Sequence, residues 1–561
     1  MTIRQYIRRH MYRWHRIASL IIAIPVFLWA LSGFMHPLMT NVRPQVATQK
    51  LQAQVIDTSA IKVSLREALE KNKVDSFSQF RLVAMHGNWF YQVKLPGQLV
   101  LKYYSAENGK LLPNGDELYA RYLARQFLEG DELAAEATKG NKLLASLQPE
   151  PLPGGGSTPA SVALHGEEQD CCTNTMAAIL NTTKGAKISS VEFKTQFDEA
   201  YKYVNRYLPA YKVSFAREDG IRIYVETGFD RFAFAVDNKR AAFDTFFSWF
   251  HTLGWLDVLG RGKHLVEVAI MLLAIFTTVM GLYMFFTTKA KKATGNPTVR
   301  ARLIHRYTAV TASLFTLLFT ISGGYHALSK LKPDIRDQYA ANDHFSISQA
   351  TPNLDRLLQV VGADQQLTNL SLVKMGAETY WQVFSKRRKA EEKPGGAPGK
   401  DLMKSMSVPP PSTLYVRTSD YTLLHNGEVL YAQSLATRFT GRPADKIIST
   451  AVVTKFEGEY GFVNKRLPVW KVGYAENSHE RWYVETSTGK LSTLVNDQDL
   501  AEGYSFALFH KHHFMDWGGK LTRDISTMFW AFLQMLMIGL GLWFWSKTRK
   551  KAWTTKLEQG G

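Results

Sequence analysis

HRIASLIIAIPVFLWALSGFMH at residues 15–36 and HRYTAVTASLFTLLFTISGGYH at residues 305–326 decide how this chain is read. Each is an apolar run that opens and closes on a histidine, His15 and His36 in the first, His305 and His326 in the second. A helix rises about 1.5 Å per residue, so the 21-residue step between the histidines spans about 31 Å. The hydrocarbon core of a bilayer is about 30 Å thick. Each run therefore carries one imidazole at each membrane face. The step is about 5.8 turns, so the two rings of one helix lie within roughly 60° of a common face. Histidine pairs on neighbouring helices are the ordinary means of holding haem iron by two axial ligands. The arrangement predicts His15 with His305 at one face and His36 with His326 at the other.

The chain has 561 residues and a mean hydropathy of −0.18, so apolar spans must alternate with sizeable polar domains. Four spans are predicted: 15–38, 264–288, 303–328 and 525–546. The formal charge is +19. Much of it sits beside the spans, at Arg4, Arg8, Arg9, Arg13 and Arg16, at Lys289, Lys291, Lys292, Arg300, Arg302 and Arg306, and at Lys547, Arg549, Lys550 and Lys551. That is the positive-inside pattern of a membrane protein and not a nucleic-acid-binding face. It places both termini (1–38 with the first span, and 547–561) and the 289–302 loop in the cytoplasm. The soluble stretches 39–245 and 329–503 then lie outside, with juxtamembrane segments leading into the spans that end at 288 and 546. Ala30-Leu31-Ser32 resembles a signal-peptide cleavage site, but Thr320-Ile321-Ser322-Gly323 holds the same register in mid-chain, so the first span is read as retained.

The halves repeat. An offset of 290 relates His15 to His305, Ser32-Gly33 to Ser322-Gly323, His36 to His326 and Gln92-Val93 to Gln382-Val383. Further on the offset is 259, relating Leu208-Pro209 to Leu467-Pro468, YVET 224–227 to YVET 483–486, and Phe250-His251 to Phe509-His510. Between 15–38 and 305–328 seven of 24 positions match and both histidines are among them, so the rings persist while their surroundings diverge. The excess length of the first half falls in an insertion at about 130–190, and the second half has its own Pro/Gly/Lys-rich insertion at 386–412. Short alternating runs such as NWFYQVKL (88–95) and RIYVET (222–227) predict antiparallel strands. Helices are predicted around 117–128, 193–206 and 430–439. The fold class expected is an integral membrane α+β protein, with four transmembrane helices and two outer α+β domains from one tandem duplication.

The repeated unit of Trp14-His15-Arg16, apolar span, Ser-Gly, α+β domain, Tyr-Val-Glu-Thr and Phe-His before a second span resembles the PepSY-associated transmembrane proteins. Ile304-His305-Arg306 lacks the tryptophan, and the glycine that usually follows the Phe-His pair by two residues is Leu253 in one half and His512 in the other. The resemblance implies PepSY-like periplasmic domains in a bacterial inner-membrane protein. It further implies a haem-dependent ferric-siderophore (ferric-chelate) reductase with b-type haem. Two haems are expected, or three if His251 and His510 hold one of their own instead of supporting His36 and His326. Arg16 and Arg306 are candidates for the propionates.

No GxGxxG, P-loop, HExxH or GxSxG pattern occurs, so the reductant must come from another cytoplasmic or membrane donor, a quinol or a reductase. Two cysteines, Cys171 and Cys172, exclude an iron–sulfur module, the absence of CxxCH excludes thioether-bound haem, and the pair is given no role. His264, His512 and His513 lack partners in the other half and read as surface residues. Phe27, Trp29, Phe315, Phe319 and Trp530 read as core or lipid-facing packing, and Trp249, Trp255 and Trp517 as interfacial anchors. The competing expectation is a non-enzymatic scaffold or regulator of a periplasmic partner or peptidase, which gives no reason for paired histidines at both faces.

Overall fold

A computed structural model describes residues 3–130, 186–203, 207–290, 295, 297–333, 339–388 and 407–558. Residues 131–185 of the insertion expected at 130–190, with Cys171 and Cys172, and most of the 386–412 loop lie outside the described residues, as does part of 289–302. The chain divides into two units, one of residues 1–42, 239–334 and 496–561, the other of residues 43–238 and 335–495.

The first unit is built on four long helices, Ile3–Asn41, Lys263–Thr287, Pro297–Ser329 and Gly519–Glu558. All four are long and apolar enough to cross a membrane. The first, third and fourth run past the predicted spans into polar flanks, the second matches its span to within a residue, and Pro25 and Pro37 lie inside the first without ending it. The first helix packs on the second and fourth, and the third also packs on the second and fourth. The first and third, which carry the histidine runs, therefore face each other across the bundle. Short helices Asn238–Phe250 and Asp497–Ser505 belong to this unit.

The second unit holds two sets of sheets with antiparallel neighbours. Strands Gln79–Met85, Asn88–Lys94, Lys102–Ser105 and Leu111–Leu112 form one sheet; Ile188–Lys194, Ala210–Phe215, Arg222–Glu226 and Arg231–Val236 form the next. Their counterparts are the sheet Gln365–Met375, Glu378–Arg387, Leu414–Arg417 and the sheet Ile447–Val453, Val469–Tyr474, Arg481–Glu485, Lys490–Val495. Helices Gly115–Glu129 and Gly427–Thr440 cover them. Residues 193–203, the described part of the helix expected at 193–206, do not form it. The strand ending at Lys194 runs into bends, with Phe193 packed on Tyr211 across the ladder (4.9 Å) and Asp198 accepting from the Ala200 and Tyr201 amides. Cross-strand burial there outweighs the helical periodicity.

The same buried contacts occur in each set. Gln92 donates to the Tyr103 hydroxyl and to the Thr227 carbonyl (2.9 Å); Gln382 donates to the Tyr415 hydroxyl (2.9 Å) and to the Thr486 carbonyl (3.0 Å). Those hydroxyls donate to Asp116 (3.0 Å) and Glu428 (3.2 Å). Gly115 and Gly427 follow residues with left-handed backbone, Asn114 and Asn426, and a Cβ on either glycine would meet the side chain of Tyr103 or Tyr415 at 2.8 and 2.7 Å. The two YVET glutamates meet in one charged cluster. Arg231 pairs with Glu485 and lies 3.5 Å from Glu226, Arg466 donates to Glu485 at 2.7 Å, and Lys490 stands 4.0 Å from Glu226. At the offset of 259 Glu226 corresponds to Glu485 and Arg231 to Lys490, so both sets contribute alike to one buried lock.

Candidate functional site

The histidines sit in the membrane unit at two levels. His15 on the first helix donates from Nδ1 to the Thr277 carbonyl of the second (3.1 Å), and His305 on the third donates from Nδ1 to the Met537 carbonyl of the fourth (3.1 Å). A carbonyl can only accept, so each ring carries its proton on Nδ1 and presents a bare Nε2. One turn beyond each carbonyl stands a glycine. A Cβ on Gly281 would come within 3.4 Å of His15 Cε1, and one on Gly541 within 3.2 Å of His305 Cε1. Glycine in a helix interior costs about 1 kcal/mol against alanine, and here it makes room for a ring. The two imidazoles are within electrostatic reach of each other.

At the other level four more histidines gather. Ser32 Oγ donates to its own helix, at the Leu28 carbonyl (2.8 Å), and so accepts from His251 Nδ1 at 3.0 Å. Ser322 likewise donates to the Leu318 carbonyl (2.6 Å) and meets His510 Nδ1 at 3.5 Å. The Ser-Gly motif thereby gains a physical meaning. The serine fixes the tautomer of a histidine from the other end of its repeat. A Cβ on Gly323 would meet Met271 at 3.2 Å and His510 Cε1 at 3.6 Å, whereas one on Gly33 would meet nothing within 4 Å. Desolvation lowers the His251 imidazole to about 3, with the Lys511 charge adding to it. Desolvation and then the neighbouring His251 hold His510 well below its ordinary value. Both rings are neutral at neutral pH.

His251 and His510 face each other with ring centres 6.1 Å apart and planes at 80°. Two imidazoles on opposite sides of one iron need about 4 Å between coordinating nitrogens, hence roughly 6 Å between ring centres. The spacing, the neutral Nδ1–H tautomers and the flanking glycines fit the axial ligands of a haem. His36 and His326 occupy flanking places. His326 donates from Nδ1 to Glu502 (2.6 Å) and stacks on Phe506 (4.4 Å), which also stacks on His510 (4.6 Å). His36 lies 5.2 Å from Phe247, which stacks on His251 (4.4 Å). A phenylalanine thus separates the two histidines of each half.

Arg306, expected near a propionate, caps the second helix instead. It donates to the Phe285 carbonyl (2.5 Å), the Thr288 carbonyl (2.6 Å) and the Thr288 hydroxyl (3.0 Å). Carbonyls left unpaired at a helix C-terminus attract a cation strongly. Arg16 is exposed. Lys511 is electrostatically coupled to His36, His251 and His510, with its ammonium 5.7 Å from the Phe506 ring.

Two histidines read as surface residues are not. His264 is half-buried and bonded to Glu267 (2.8 Å). His512 is fully buried, bonded through Nδ1 to Ser526 (3.1 Å) and stacked on Phe319 at 5.1 Å, while its Nε2 has no partner among the described residues. The position is left-handed, φ 55°, as is Leu253 at φ 47°. That explains the glycine usual there, and a side chain in its place was the available sign that His512 is unusual. His513 is exposed and paired with Asp516. Phe315 stacks on Trp530 at 3.8 Å, and Phe319 packs between His510 and His512, so these rings line the site. Trp249, Trp255 and Trp517 are exposed, as anchors would be.

No curated protein matches the chain. Residues 12–429 match the family described as the PepSY-associated TM region. With that match covering most of the sequence, and four membrane-length helices alongside small antiparallel sheets, the chain belongs to the PepSY-associated transmembrane family.

Proposed function

We propose that this multi-pass membrane protein, the product of a tandem duplication, is an electron carrier of the bacterial inner membrane. It holds b-type haem at both faces and reduces a ferric chelate of the siderophore class on the periplasmic side. The basic flanks put the termini and the 289–302 loop in the cytoplasm. His15 and His305 are then the inner ligands, and His251 and His510 the outer pair. His36 and His326 stand beside the outer pair, with Phe247 and Phe506 between. Haem, when bound, supplies one-electron chemistry that no side chain here can, and reduction of ferric iron weakens its hold on hard oxygen ligands.

The chain's residues do the rest. Thr277 and Met537 carbonyls, Ser32 and Ser322 fix the tautomers, and second-shell bonds of this kind orient a ligand and raise its basicity. Lys511, electrostatically coupled to His251 and His510, is the cation we assign to an outer propionate. A quinol or a separate reductase is the donor.

The observation that carries this reading is the 6.1 Å face-off of His251 and His510, each with Nδ1 directed at the serine of a Ser-Gly pair. A scaffold or peptidase regulator needs none of it. The experiment is haem quantification and a dithionite-reduced optical spectrum of the purified full chain. Two low-spin b-type haems per polypeptide are expected. His251→Ala and His510→Ala should each remove the same single haem, while His36→Ala keeps both. A colourless, folded preparation ends the proposal, and loss of a haem only on His36→Ala and His326→Ala returns the outer site to that pair.

A further inference from the structure

Fifteen of the nineteen net positive charges fall on 49 residues. Segments 1–16, 289–306 and 547–561 hold sixteen Lys and Arg against one acidic residue, Glu558, while the other 512 residues are left with +4. Orienting the spans takes an excess of Lys and Arg beside them, which accounts for the sign of this charge but not for how far the helices carry it. Helix Ile3–Asn41 begins twelve residues before His15, about 18 Å along its axis. Helix Gly519–Glu558 ends seventeen residues past Gly541, the glycine that adjoins His305, about 25 Å further on. The polar layer of one leaflet is only about 5–8 Å deep. Arg4 and Arg8 at one helix end, and Arg549, Lys551 and Lys556 at the other, thus stand on turns that reach beyond the headgroups. Nearer the bilayer, Arg13, Arg300, Arg302 and Lys547 are exposed.

The first helix also carries a face of rings there. Tyr6, His10 and Trp14 follow at four-residue steps. The Tyr6 and His10 ring centres are 4.5 Å apart, His10 stacks on Trp14 at 5.8 Å with 22° between planes, and Tyr6 reaches Trp14 at 5.8 Å. Trp14 directly precedes the inner ligand His15. Tyr6 is 49 % exposed, and the neighbouring Tyr12 is 58 % exposed. At the offset of 290 the other half has Asn296, Arg300 and Ile304, so this face belongs to the first helix alone of the two.

Tyr, Trp and Arg together are the composition of a protein contact, and these residue types supply most binding hot spots. A lipid headgroup answers the charge, but beyond the headgroup layer it gives the rings nothing to pack against. We propose that this face docks a soluble acidic protein that carries one electron, and that this carrier, in place of a membrane quinol, reduces the inner site. The inference rests on the electron-transfer reading above and names its donor. On docking, the reduced carrier is oxidised by one electron, the ferric iron held by His15 and His305 becomes ferrous, and no atom changes hands. Contacts between redox proteins are small and steered by charge. A compact ring cluster inside a wide positive field has that form.

The test uses the full chain in phosphatidylcholine nanodiscs, which carry no net lipid charge, with flavodoxin as the acidic probe, cytochrome c as the basic one and duroquinol as the quinol. Oxidised flavodoxin, followed by its flavin fluorescence, should bind, with affinity falling at least about tenfold between about 50 and 500 mM salt. Cytochrome c should not bind. Tyr6→Ser combined with His10→Ser removes rings and no charge while the imidazole is neutral, and should weaken flavodoxin about tenfold, the share of one hot-spot contact. Arg13→Gln combined with Arg302→Gln should slow association and flatten the salt dependence. Unchanged melting temperatures certify the fold of each variant. Photoreduced flavodoxin should reduce the haem faster than duroquinol, and the ring variant should slow that step while dithionite reduces it as in the wild type. Full affinity in the ring variant leaves only bare charge and overturns the proposal, as does equal binding of cytochrome c or faster reduction by duroquinol. Absence of a dithionite-reduced haem band sinks the electron-transfer reading instead, and flavodoxin binding then decides the docking face by itself.

Discussion

Replacing Glu485 by glutamine tests whether the two YVET motifs act as a lock inside the second unit. The carboxylate is 1 % exposed and contacts both Arg231 and Arg466. Burial alone would raise its pKa, but the two guanidinium groups outweigh that and bring it from the ordinary 4.5 to about 2. A fall of about 2.5 units at 1.36 kcal/mol each is worth about 3 kcal/mol. Because the folded value is depressed, that stability is fully present above pH 4.5 and is lost as pH falls towards 2. Glu485→Gln keeps the shape and removes the charge, leaving Arg231, Arg466 and Lys490 with a single remaining carboxylate, Glu226, among them. Breaking a buried pair in this way costs about 3–5 kcal/mol. At about 2.1 cal/mol/K of unfolding entropy per residue, each kcal/mol moves the melting temperature of a unit this large by about 1.3 °C, so a drop of roughly 4 °C or more is expected at pH 7. The assay is thermal unfolding of the full chain in detergent, followed by intrinsic fluorescence at several pH values. The wild type should converge on the variant between pH 4.5 and 2. A variant melting within about 1 °C of wild type at pH 7 would refute the reasoning, and so would a difference that persists undiminished at pH 2.

Gly541→Leu should abolish the proposed His15–His305 haem while sparing the other, since even a Cβ would stand 3.2 Å from His305 Cε1; the check is haem per chain by pyridine haemochrome. Gly115→Ala and Gly427→Ala should each destabilise the soluble unit by about 1–3 kcal/mol, because a methyl would press into Tyr103 or Tyr415 and overpack a filled core; equilibrium urea unfolding reads it. Lys511→Gln should shift the outer haem to a more negative midpoint potential, since a cation beside the ligands favours the reduced form; potentiometric titration against unshifted inner haem is the control.

The sequence by itself determined the spans, their repetition and the chemistry-bearing residues. Twenty-one residues between histidines equal a bilayer's thickness because helical rise is fixed, and apolar runs of that length have no other stable home in a four-span chain. It could also show that Phe-His and Ser-Gly recur at fixed offsets. It could not show that these two motifs touch. Ser32 and His251 are 219 residues apart, and their bond exists only because the chain returns through the soluble unit to the same bundle. Pairing is a property of distance in space, so the ligand set expected from helix ends, His36 with His326, gives way in the proposal to His251 with His510 once their ring centres are seen 6.1 Å apart. Arg306 looked like an anion binder, but the unpaired carbonyls ending the second helix claim it first. His512 looked superficial for want of a partner in the other half, yet packing encloses it in phenylalanine rings, because burial depends on neighbours that another helix brings, Phe315 and Phe319, as well as the adjacent Phe514.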